Sequence, residues 1–288
     1  MIVVTGATGR LGSQIVDRLL ERVPANQIGV SVRDTDLAAH FAARGVRVRR
    51  GDYSDPDSLT DAFAGADQVL IVSASTIGEE ALRQHRSAID AARDAGARRI
   101  LYTSHMASSP DSLFAAAPDH AATEQYLAGI GVPYTSLRNG FYANTVSQQL
   151  LGGALETGVL MAPADGPVSW TNRDDLAAAA AVILLDEDRF DGPTPPLTAP
   201  EAPDLEDIAG ILSEMTGRTI RRVVVDDDEW MQGLIGHGVP EGYARMMLGM
   251  FLASRRGEFA ATDPTLEQLL GRPAQSIRTV LEGVVAGS

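Results

Sequence analysis

The sequence contains neither lysine nor cysteine, so its 24 Lys+Arg positions are all arginine. Without lysine there is no amine to form a Schiff base with a carbonyl substrate. Without cysteine there is no thiolate nucleophile, no disulfide and no cysteine-ligated metal site. We therefore expect chemistry that needs neither group, and we expect no bound metal.

Long apolar runs and an excess of positive charge are also missing. The longest apolar run, Leu176–Leu185, has 10 residues, which is too few to span a bilayer and is typical of a buried helix. The net charge of −14 repels polyanions at long range, so we expect no nucleic-acid partner. The short apolar run predicts that the chain has no membrane partner either. No signal peptide is apparent before the first motif, and we expect a cytoplasmic protein.

The first twelve residues carry the most informative motif. An apolar run, Ile2–Thr5, leads directly into Gly6, Gly9 and Gly12, and apolar residues follow at helical spacing. This layout is typical of a βαβ unit that binds a dinucleotide, whose pyrophosphate lies at the helix N-terminus. The predicted cofactor contacts in this loop are Gly6, Thr8, Gly9, Arg10 and Leu11.

The first half of the chain alternates strand-like and helix-like segments, which predicts a doubly wound, Rossmann-type parallel sheet. The predicted strands after the first are residues 27–32, 44–50, 68–73, 99–103 and 134–138, and a helix is predicted over 79–96. We expect residues 1–150 to form the nucleotide-binding domain. Residues 151–288 are expected to form a smaller α/β lobe for the substrate, with a segment near 190–200 returning to the main sheet.

The end of the second predicted strand indicates which nucleotide binds. Arg33 lies where NAD-binding units carry an acidic residue, and a guanidinium there favours the 2′-phosphate of NADPH. Asp34 follows immediately and is able to accept a ribose hydroxyl instead, so NADH stays possible. Asp52 ends the third strand, either beside the adenine or as the N-cap of the next helix.

Ligands of doubly wound sheets lie at the carboxyl ends of the strands. Small or hydroxylated residues at those ends suit the close approach of a nicotinamide ribose, and the Asn139–Gly140 turn is predicted to hold the carboxamide. The residues predicted to bind cofactor at this edge are Ser73, Ala74, Ser75, Thr103, Ser104, Asn139, Gly140 and Phe141.

Three side chains are candidate proton donors. Ordinary short-chain dehydrogenases use Tyr-x-x-x-Lys on the helix after the fifth strand, where this chain has His120 and Glu124. On a helix these two share a face, so Glu124 could orient the imidazole and raise its pKa, although an ordinary surface pair is the favoured interpretation. His105 and Tyr142 are rival donors. Tyr134 and Arg138 match the dyad spacing but lie on a predicted strand.

The missing dyad bears on the acceptor. Hydride addition to a ketone produces an alkoxide-like oxygen that needs a positioned acid, whereas a quinone becomes a stabilised hydroquinone anion. A site without tyrosine and lysine in the dyad is therefore better suited to quinone-like acceptors than to ketones.

These residues resemble the NmrA-like group of atypical short-chain reductases, and within it the type 2 NAD(P)H:quinone oxidoreductases. The resemblance rests on the glycine loop and on five further motifs, which are Val32-Arg33, Gly51-Asp52-Tyr53, Tyr102-Thr103-Ser104, Asp119-His120-x-x-x-Glu124 and Leu137-Arg138-Asn139-Gly140-x-Tyr142. It extends over nearly the whole chain through the alanine-rich segment from Leu176 and the stretch Leu269-Leu270-Gly271-Arg272-Pro273. It implies a Rossmann-type domain, NADPH without flavin or metal, quinone reduction under a smaller lobe, and a homodimer. His105 and Phe141 depart from the pattern and are expected to reshape the acceptor pocket.

Two other functions stay open. The same group contains dinucleotide-binding redox sensors that regulate transcription factors without turnover. A ketone or imine reductase that uses His120 or Tyr142 is the remaining alternative.

Overall fold

The computed structural model of the chain describes residues 1–287. The strands are β1 (Ile2–Thr5), β2 (Ile28–Val32), β3 (Arg47–Arg50), β4 (Gln68–Ile71), β5 (Arg99–His105), β6 (Tyr134–Asn139), β7 (Val159–Pro163), β8 (Gly192–Pro193) and β9 (Arg221–Val225). The helices are α1 (Arg10–Leu20), α2 (Ala39–Ala42), α3 (Pro56–Phe63), α4 (Glu79–Asp94), α5 (Ala116–Gly129), α6 (Ala154–Thr157), α7 (Arg173–Leu185), α8 (Leu205–Thr216), α9 (Asp227–Gly236), α10 (Glu241–Arg255), α11 (Thr265–Leu270) and α12 (Ile277–Ala286).

The main sheet has seven strands in the order β3-β2-β1-β4-β5-β6-β8, and every neighbouring pair is parallel. The predicted doubly wound, Rossmann-type fold is confirmed. The strand order reverses between β1 and β4, and such a switch point opens a crevice at the carboxyl ends of the strands. The glycine loop leaves β1 at this crevice.

The central strands form where the sequence is most continuously apolar. All residues of β1, β2 and β4 are buried because helices cover both faces of the sheet. The third strand begins at Arg47, three residues later than predicted, because Val46 still donates its N–H to the Phe41 carbonyl in the turn after α2. The fifth strand continues to His105, so this histidine lies at the carboxyl end of β5.

A second, two-stranded parallel sheet pairs β7 with β9. Strand β7 was not predicted from the sequence, because its methionine and proline obscure a strand pattern. Helix α8 packs on β9 and begins with a capping box between Asp204 and Asp207. A core of apolar residues from the lobe, including Leu160, Ile208 and Phe251, surrounds this sheet.

The second half of the chain also covers the main sheet. Helix α7 packs along α1, α11 packs on α7, and β8 pairs with β6. Most of the apolar run that begins at Leu176 is buried in this layer, as predicted, whereas Leu185 at its end is exposed. Asn172 caps this helix by accepting a hydrogen bond from the Asp174 N–H. The division at residue 150 stays a prediction, because the chain after that residue contributes to both cores. No helix within residues 1–287 has the length and apolar character needed to cross a membrane.

Candidate active site

The glycine loop between β1 and α1 is shaped by close backbone contacts. Gly6 has φ +59°, in the left-handed region that side chains disfavour. A Cβ at Gly12 would lie 2.4 Å from the Gly6 carbonyl oxygen, so only glycine lets α1 pack against the loop. The N-cap residue of α1 is Gly9, and the first turn holds no acidic side chain. The positive end of α1 is therefore available to an anion.

A groove of about 450 Å³ follows the crevice from this loop to the ends of β2, β3 and β4. Eight of the predicted cofactor residues line it: Gly6, Thr8, Gly9, Arg33, Asp52, Ser73, Ala74 and Ser75. The groove also includes residues that the sequence analysis did not assign to the cofactor: Ser31, Val32, Gly51, Tyr53, Ser54, Val72 and Gln84.

The groove is electrostatically suited to a 2′-phosphate at Arg33. This guanidinium is exposed and has no carboxylate partner within residues 1–287. Asp34, the alternative ribose partner, accepts the Asp36 N–H at 3.0 Å in a local turn. Asp52 similarly accepts the Ser54 N–H at 2.9 Å. Helix α3 begins at Pro56 with Asp55 as its N-cap, so the interpretation of Asp52 as the cap is wrong.

Two buried polar atoms near the crevice lack partners in the described part of the chain, residues 1–287. They are Ser31 Oγ, in the groove at the end of β2, and Asn139 Oδ1, at the end of β6. A buried acceptor or hydroxyl without a partner costs free energy, so such atoms indicate contacts that a ligand supplies. Together with the glycine loop and Arg33, they fit a dinucleotide laid across the strand ends.

Tyr53 supports the floor of the groove. Its hydroxyl donates to the Val72 carbonyl at 2.7 Å and contacts the Thr5 hydroxyl. Thr5 Oγ1 in turn accepts the Val72 N–H at 2.8 Å, so one tyrosine joins the ends of β1 and β4. The Gly51-Asp52-Tyr53 motif was visible in the sequence, but this bracing role depends on the tertiary structure.

Several predicted cofactor residues lie behind the groove wall. Leu11 is buried in the main core. Thr103 Oγ1 accepts the Ser73 N–H at 2.8 Å and so positions the Ser73–Ser75 loop. Arg10, at the mouth of the loop, donates to Gln148. These residues shape the site from behind or from its rim.

Glu124 does not orient His120, and that part of the prediction is wrong. Its carboxylate forms a paired interaction with Arg138, at 3.1 Å to Nε and 2.7 Å to Nη2, and accepts the Ser104 hydroxyl at 2.7 Å. Ser104 and Glu124 are buried, and the carboxylate raises the pKa of Arg138. The Arg138 guanidinium on β6 therefore pairs with the Glu124 carboxylate on α5, which does not contact the imidazole of His120. The Ser104 hydroxyl donates to the same carboxylate and is not free to bind a ligand.

The Asn139–Gly140 peptide is likewise not free to hold a carboxamide. The Gly140 N–H donates to the Leu197 carbonyl at 2.8 Å, and the Asn139 carbonyl accepts the Met106 N–H at 2.9 Å. These two backbone groups are engaged because the returning chain at residue 197 pairs with the end of β6. A carboxamide contact by the rest of the turn stays a prediction. The Asn139 side-chain oxygen remains the atom available to a ligand.

His105 lies in an aromatic cluster that we define as His105, Phe114, Phe141, Trp170 and Phe259. The imidazole centroid is 5.4–5.6 Å from the centroids of Phe114, Phe141 and Phe259. Burial lowers the pKa of His105 to about 4, so the ring is neutral near pH 7. A groove of about 220 Å³ lies beside it, lined by residues 106–109, 111, 112, 256 and 258. Ser108 Oγ in this groove has no partner within residues 1–287.

His120 stands next to this cluster, with its ring nearly parallel to that of His105 and 6.1 Å away. Burial, followed by the neighbouring His105 and His85, lowers the pKa of His120 well below its ordinary value. The predicted rise in its pKa is therefore wrong. The partner of His120 is Tyr102, whose hydroxyl oxygen lies 2.7 Å from Nδ1.

Tyr142 contacts a different group. The Arg173 guanidinium lies 4.6 Å from the Tyr142 ring centroid, and burial raises the pKa of the phenol. Arg173 is half-buried at the start of α7 and has no carboxylate partner within residues 1–287. The structure thus brings His105 and His120 together and places Tyr142 beside a cation.

The sequence patterns did not mark His85, Tyr102 or Arg173 as site residues. His85 was visible only as a polar position on the apolar face of the predicted helix 79–96, and Tyr102 as part of the Tyr102-Thr103-Ser104 motif. A buried histidine and a buried tyrosine on adjacent elements are a usable signal, because both need hydrogen-bond partners. Within residues 1–287, no group of three or more histidine, aspartate and glutamate side chains is arranged to hold a metal ion.

Comparison with known proteins agrees with this geometry. The sequence profile described as the NmrA-like family matches residues 1–282. Quinone oxidoreductase 2 of Escherichia coli is 36% identical over 280 residues, which cover 96% of each chain.

Two solved structures extend the likeness to three dimensions. The crystal structure of the NADPH-dependent quinone oxidoreductase of E. coli, complexed with NADPH, superposes with a TM-score of 0.91 at 33% identity and covers 99% of this chain and 100% of its own. The structure of Citrobacter sp. triphenylmethane reductase, complexed with NADP(H), also gives 0.91, at 35% identity, and covers 98% of this chain and 99% of its own.

Proposed function

This chain belongs to the NmrA-like family, and on that basis we propose that it is an oxidoreductase that binds NADPH and reduces a quinone-like acceptor. The observation that carries the proposal is the arrangement of the two halves of the site. The dinucleotide groove includes Ser73, whose N–H donates to Thr103 on β5. His105 lies two residues after Thr103 on the same strand and belongs to the aromatic cluster.

The residues that would hold NADPH follow from the groove. The N-terminus of α1 would face the pyrophosphate, Arg33 the 2′-phosphate, Asp52 the adenosine half, and Asn139 Oδ1 the nicotinamide half. When bound, NADPH supplies a hydride, and one proton from solvent or a side chain completes the reduction of a quinone to a hydroquinone. NADH would lack the charge that Arg33 is placed to meet.

The aromatic cluster suits a flat acceptor. Phenylalanine rings at 5.0–5.8 Å from one another form a buried apolar layer, which would exclude water and pack against a planar acceptor ring. His105 and His120 supply polar contacts within this wall, and both stay neutral near pH 7 because burial lowers their pKa. A neutral imidazole donates a hydrogen bond to a carbonyl oxygen without attracting an anion into the site.

Tyr142 keeps its proton near pH 7, since burial raises its pKa, and Arg173 opposes that rise. It remains a candidate donor on the side of the site that carries Arg173. The resemblance to the quinone reductases also predicts a homodimer, which sedimentation of the purified chain would test.

NADPH consumption by the purified protein tests the proposal. The acceptor panel should contain benzoquinones, naphthoquinones, a triphenylmethane dye and simple ketones. Turnover that depends on a quinone supports the proposal. Turnover with ketones but no quinone would refute it in favour of a ketone reductase. Tight nucleotide binding without turnover on any acceptor would indicate a redox sensor.

The nucleotide assignment has its own test in Arg33→Ala. Loss of a charge-assisted contact of about 1.5–3 kcal/mol should weaken NADPH binding by roughly 10- to 100-fold and leave NADH binding unchanged. Arg22→Ala is the matched control, because Arg22 is exposed beyond the far end of α1. Equal losses for both nucleotides would contradict a 2′-phosphate contact.

A further inference from the structure

A buried hydrogen-bond chain links the cofactor groove to His120, and it begins at Ala74. This residue lines the groove, and its N–H donates to Nε2 of His85 at 2.9 Å. His85 lies on α4 with 2% of its surface exposed. Because a backbone N–H only donates, Nε2 of His85 must be the acceptor and carries no hydrogen.

The other nitrogen of His85 therefore carries the hydrogen. Nδ1 lies 2.9 Å from Thr123 Oγ1, and the Thr123 hydroxyl donates its own hydrogen to the Asp119 carbonyl at 2.8 Å. Thr123 consequently accepts from His85. This assignment agrees with the pKa of His85, which burial lowers to about 4, so that the ring is neutral with one hydrogen.

The hydroxyl of Tyr102 lies between His85 and His120 and determines which nitrogen of His120 carries the hydrogen. The hydroxyl oxygen lies 3.4 Å from Nδ1 of His85, whose hydrogen is shared between Thr123 and this oxygen, and 2.7 Å from Nδ1 of His120. Nδ1 of His85 holds a hydrogen and so cannot accept the Tyr102 hydrogen. The Tyr102 side chain is fully buried, so its hydroxyl hydrogen needs an acceptor. Thr123 Oγ1 also contacts this phenol, but it already accepts from His85, so the Tyr102 hydrogen goes to Nδ1 of His120. This leaves the hydrogen of the neutral His120 ring on Nε2.

His105 has the same tautomer for an independent reason. Its Nδ1 accepts the Ala107 N–H at 3.1 Å, so its hydrogen is also on Nε2. The two nearly parallel imidazoles thus both carry an Nε2–H group at the aromatic cluster.

We propose that His85 and Tyr102 are positioning residues that hold His120 as the neutral Nε2–H tautomer, so that it donates a hydrogen bond to a carbonyl oxygen of the acceptor. The role toward an acceptor rests on the proposed function, whereas the tautomer does not. The chain also means that the loop at Ala74 and the orientation of His120 are coupled through two side chains on α4 and β5.

The direct test is ¹⁵N NMR of the full chain with labelled histidine, which distinguishes protonated from unprotonated ring nitrogens without any turnover. We expect His120 with hydrogen on Nε2 and His85 with hydrogen on Nδ1, with His120→Asn used to assign the first. His237 is an internal reference, because its Nδ1 lies 2.7 Å from the Gly233 carbonyl and so carries a hydrogen. A hydrogen on Nδ1 of His120 would overturn the proposal.

Tyr102→Phe removes only the linking hydroxyl. We expect it to release His120 into a mixture of tautomers and to lower kcat about 5- to 10-fold, the effect of one lost hydrogen bond, with NADPH affinity unchanged. Tyr126→Phe is the matched control, because it removes an α5 hydroxyl that donates to Asp90 at 2.8 Å. An unchanged His120 spectrum and kcat in Tyr102→Phe would refute the chain.

The two proposals fail differently. If no quinone is reduced but His120 holds the expected tautomer, the proposed function fails, the hydrogen-bond chain stands and its role toward an acceptor falls. If Tyr102→Phe is too unstable to study, His85→Gln is the second variant. Glutamine keeps an acceptor for the Ala74 N–H but lacks the imidazole Nδ1 that contacts the Tyr102 hydroxyl. We expect this substitution to broaden the ¹⁵N signal of His120. A wild-type His120 signal in that variant would count against the chain.

Discussion

His85 makes the fold sensitive to mild acid, and the size of the effect can be worked out from its burial. Its pKa is lowered from 6.5 to about 4 because the charged ring would be desolvated on α4. The unfolded chain binds the proton at the higher pH, so acid favours unfolding. Stability from the neutral ring is fully present above pH 6.5 and is lost as the pH falls from 6.5 through 4.

The lowered pKa of His85 reduces the free energy of unfolding by about 3 kcal/mol when the pH falls to 4. About 2 kcal/mol of this loss occurs between pH 7 and pH 5. His85→Gln removes the titrating ring while it keeps an acceptor for the Ala74 N–H. Urea unfolding of both proteins at pH 7, 6 and 5 should therefore show a stability difference that changes by about 2 kcal/mol across the range.

The difference between the two proteins isolates His85 from every other group that titrates in this range. Arg22→Ala, measured in parallel, should follow the wild-type pH dependence. If wild type and His85→Gln lose stability in parallel between pH 7 and pH 5, the ring does not titrate as a buried neutral group. The tautomer assigned to His85 would then lose its support as well.

Three further substitutions test the packing around the site. Gly12→Ala places a Cβ 2.4 Å from the Gly6 carbonyl, so calorimetry should show a loss of about 1–3 kcal/mol together with weaker nucleotide binding. Arg138→Gln leaves the buried Glu124 carboxylate without its charge partner and should cost about 3 kcal/mol in urea unfolding, whereas adding Glu124→Gln to it should recover part of the loss. Asp204→Ala removes the capping box of α8 and should cost about 1 kcal/mol, without a change in NADPH affinity.

The fold could be predicted because its signals are local. The apolar run of β1, the spaced glycines and the helical pattern of α1 follow one another within twenty residues, and each acts through the backbone conformation of its own segment. Arg33 was found in the same way, from its distance along the chain to the glycine loop. These features depend on neighbours in sequence, so the sequence by itself determined them.

The chemistry of the acceptor side was decided by tertiary contacts. Glu124 is four residues from His120, yet it pairs with Arg138 on the neighbouring strand β6, because a guanidinium satisfies a buried carboxylate with two charged hydrogen bonds. The carbonyl of Leu197 accepts the Gly140 N–H, a backbone group in the turn that was predicted to bind a carboxamide. Arg138 and Leu197 are both distant in sequence from the groups whose predicted contacts they replace.

The histidine chain shows the same division. The sequence alone established that lysine is absent, and it marked His120 and His105 as candidates. Which hydrogen each ring carries was decided only when α4, β5 and α5 packed together. Each buried hydrogen needs an acceptor, so a backbone N–H at Ala74 constrains His85, Tyr102 and finally His120. Local patterns specify the scaffold, whereas protonation states follow from desolvation and partner geometry, which exist only in the folded protein.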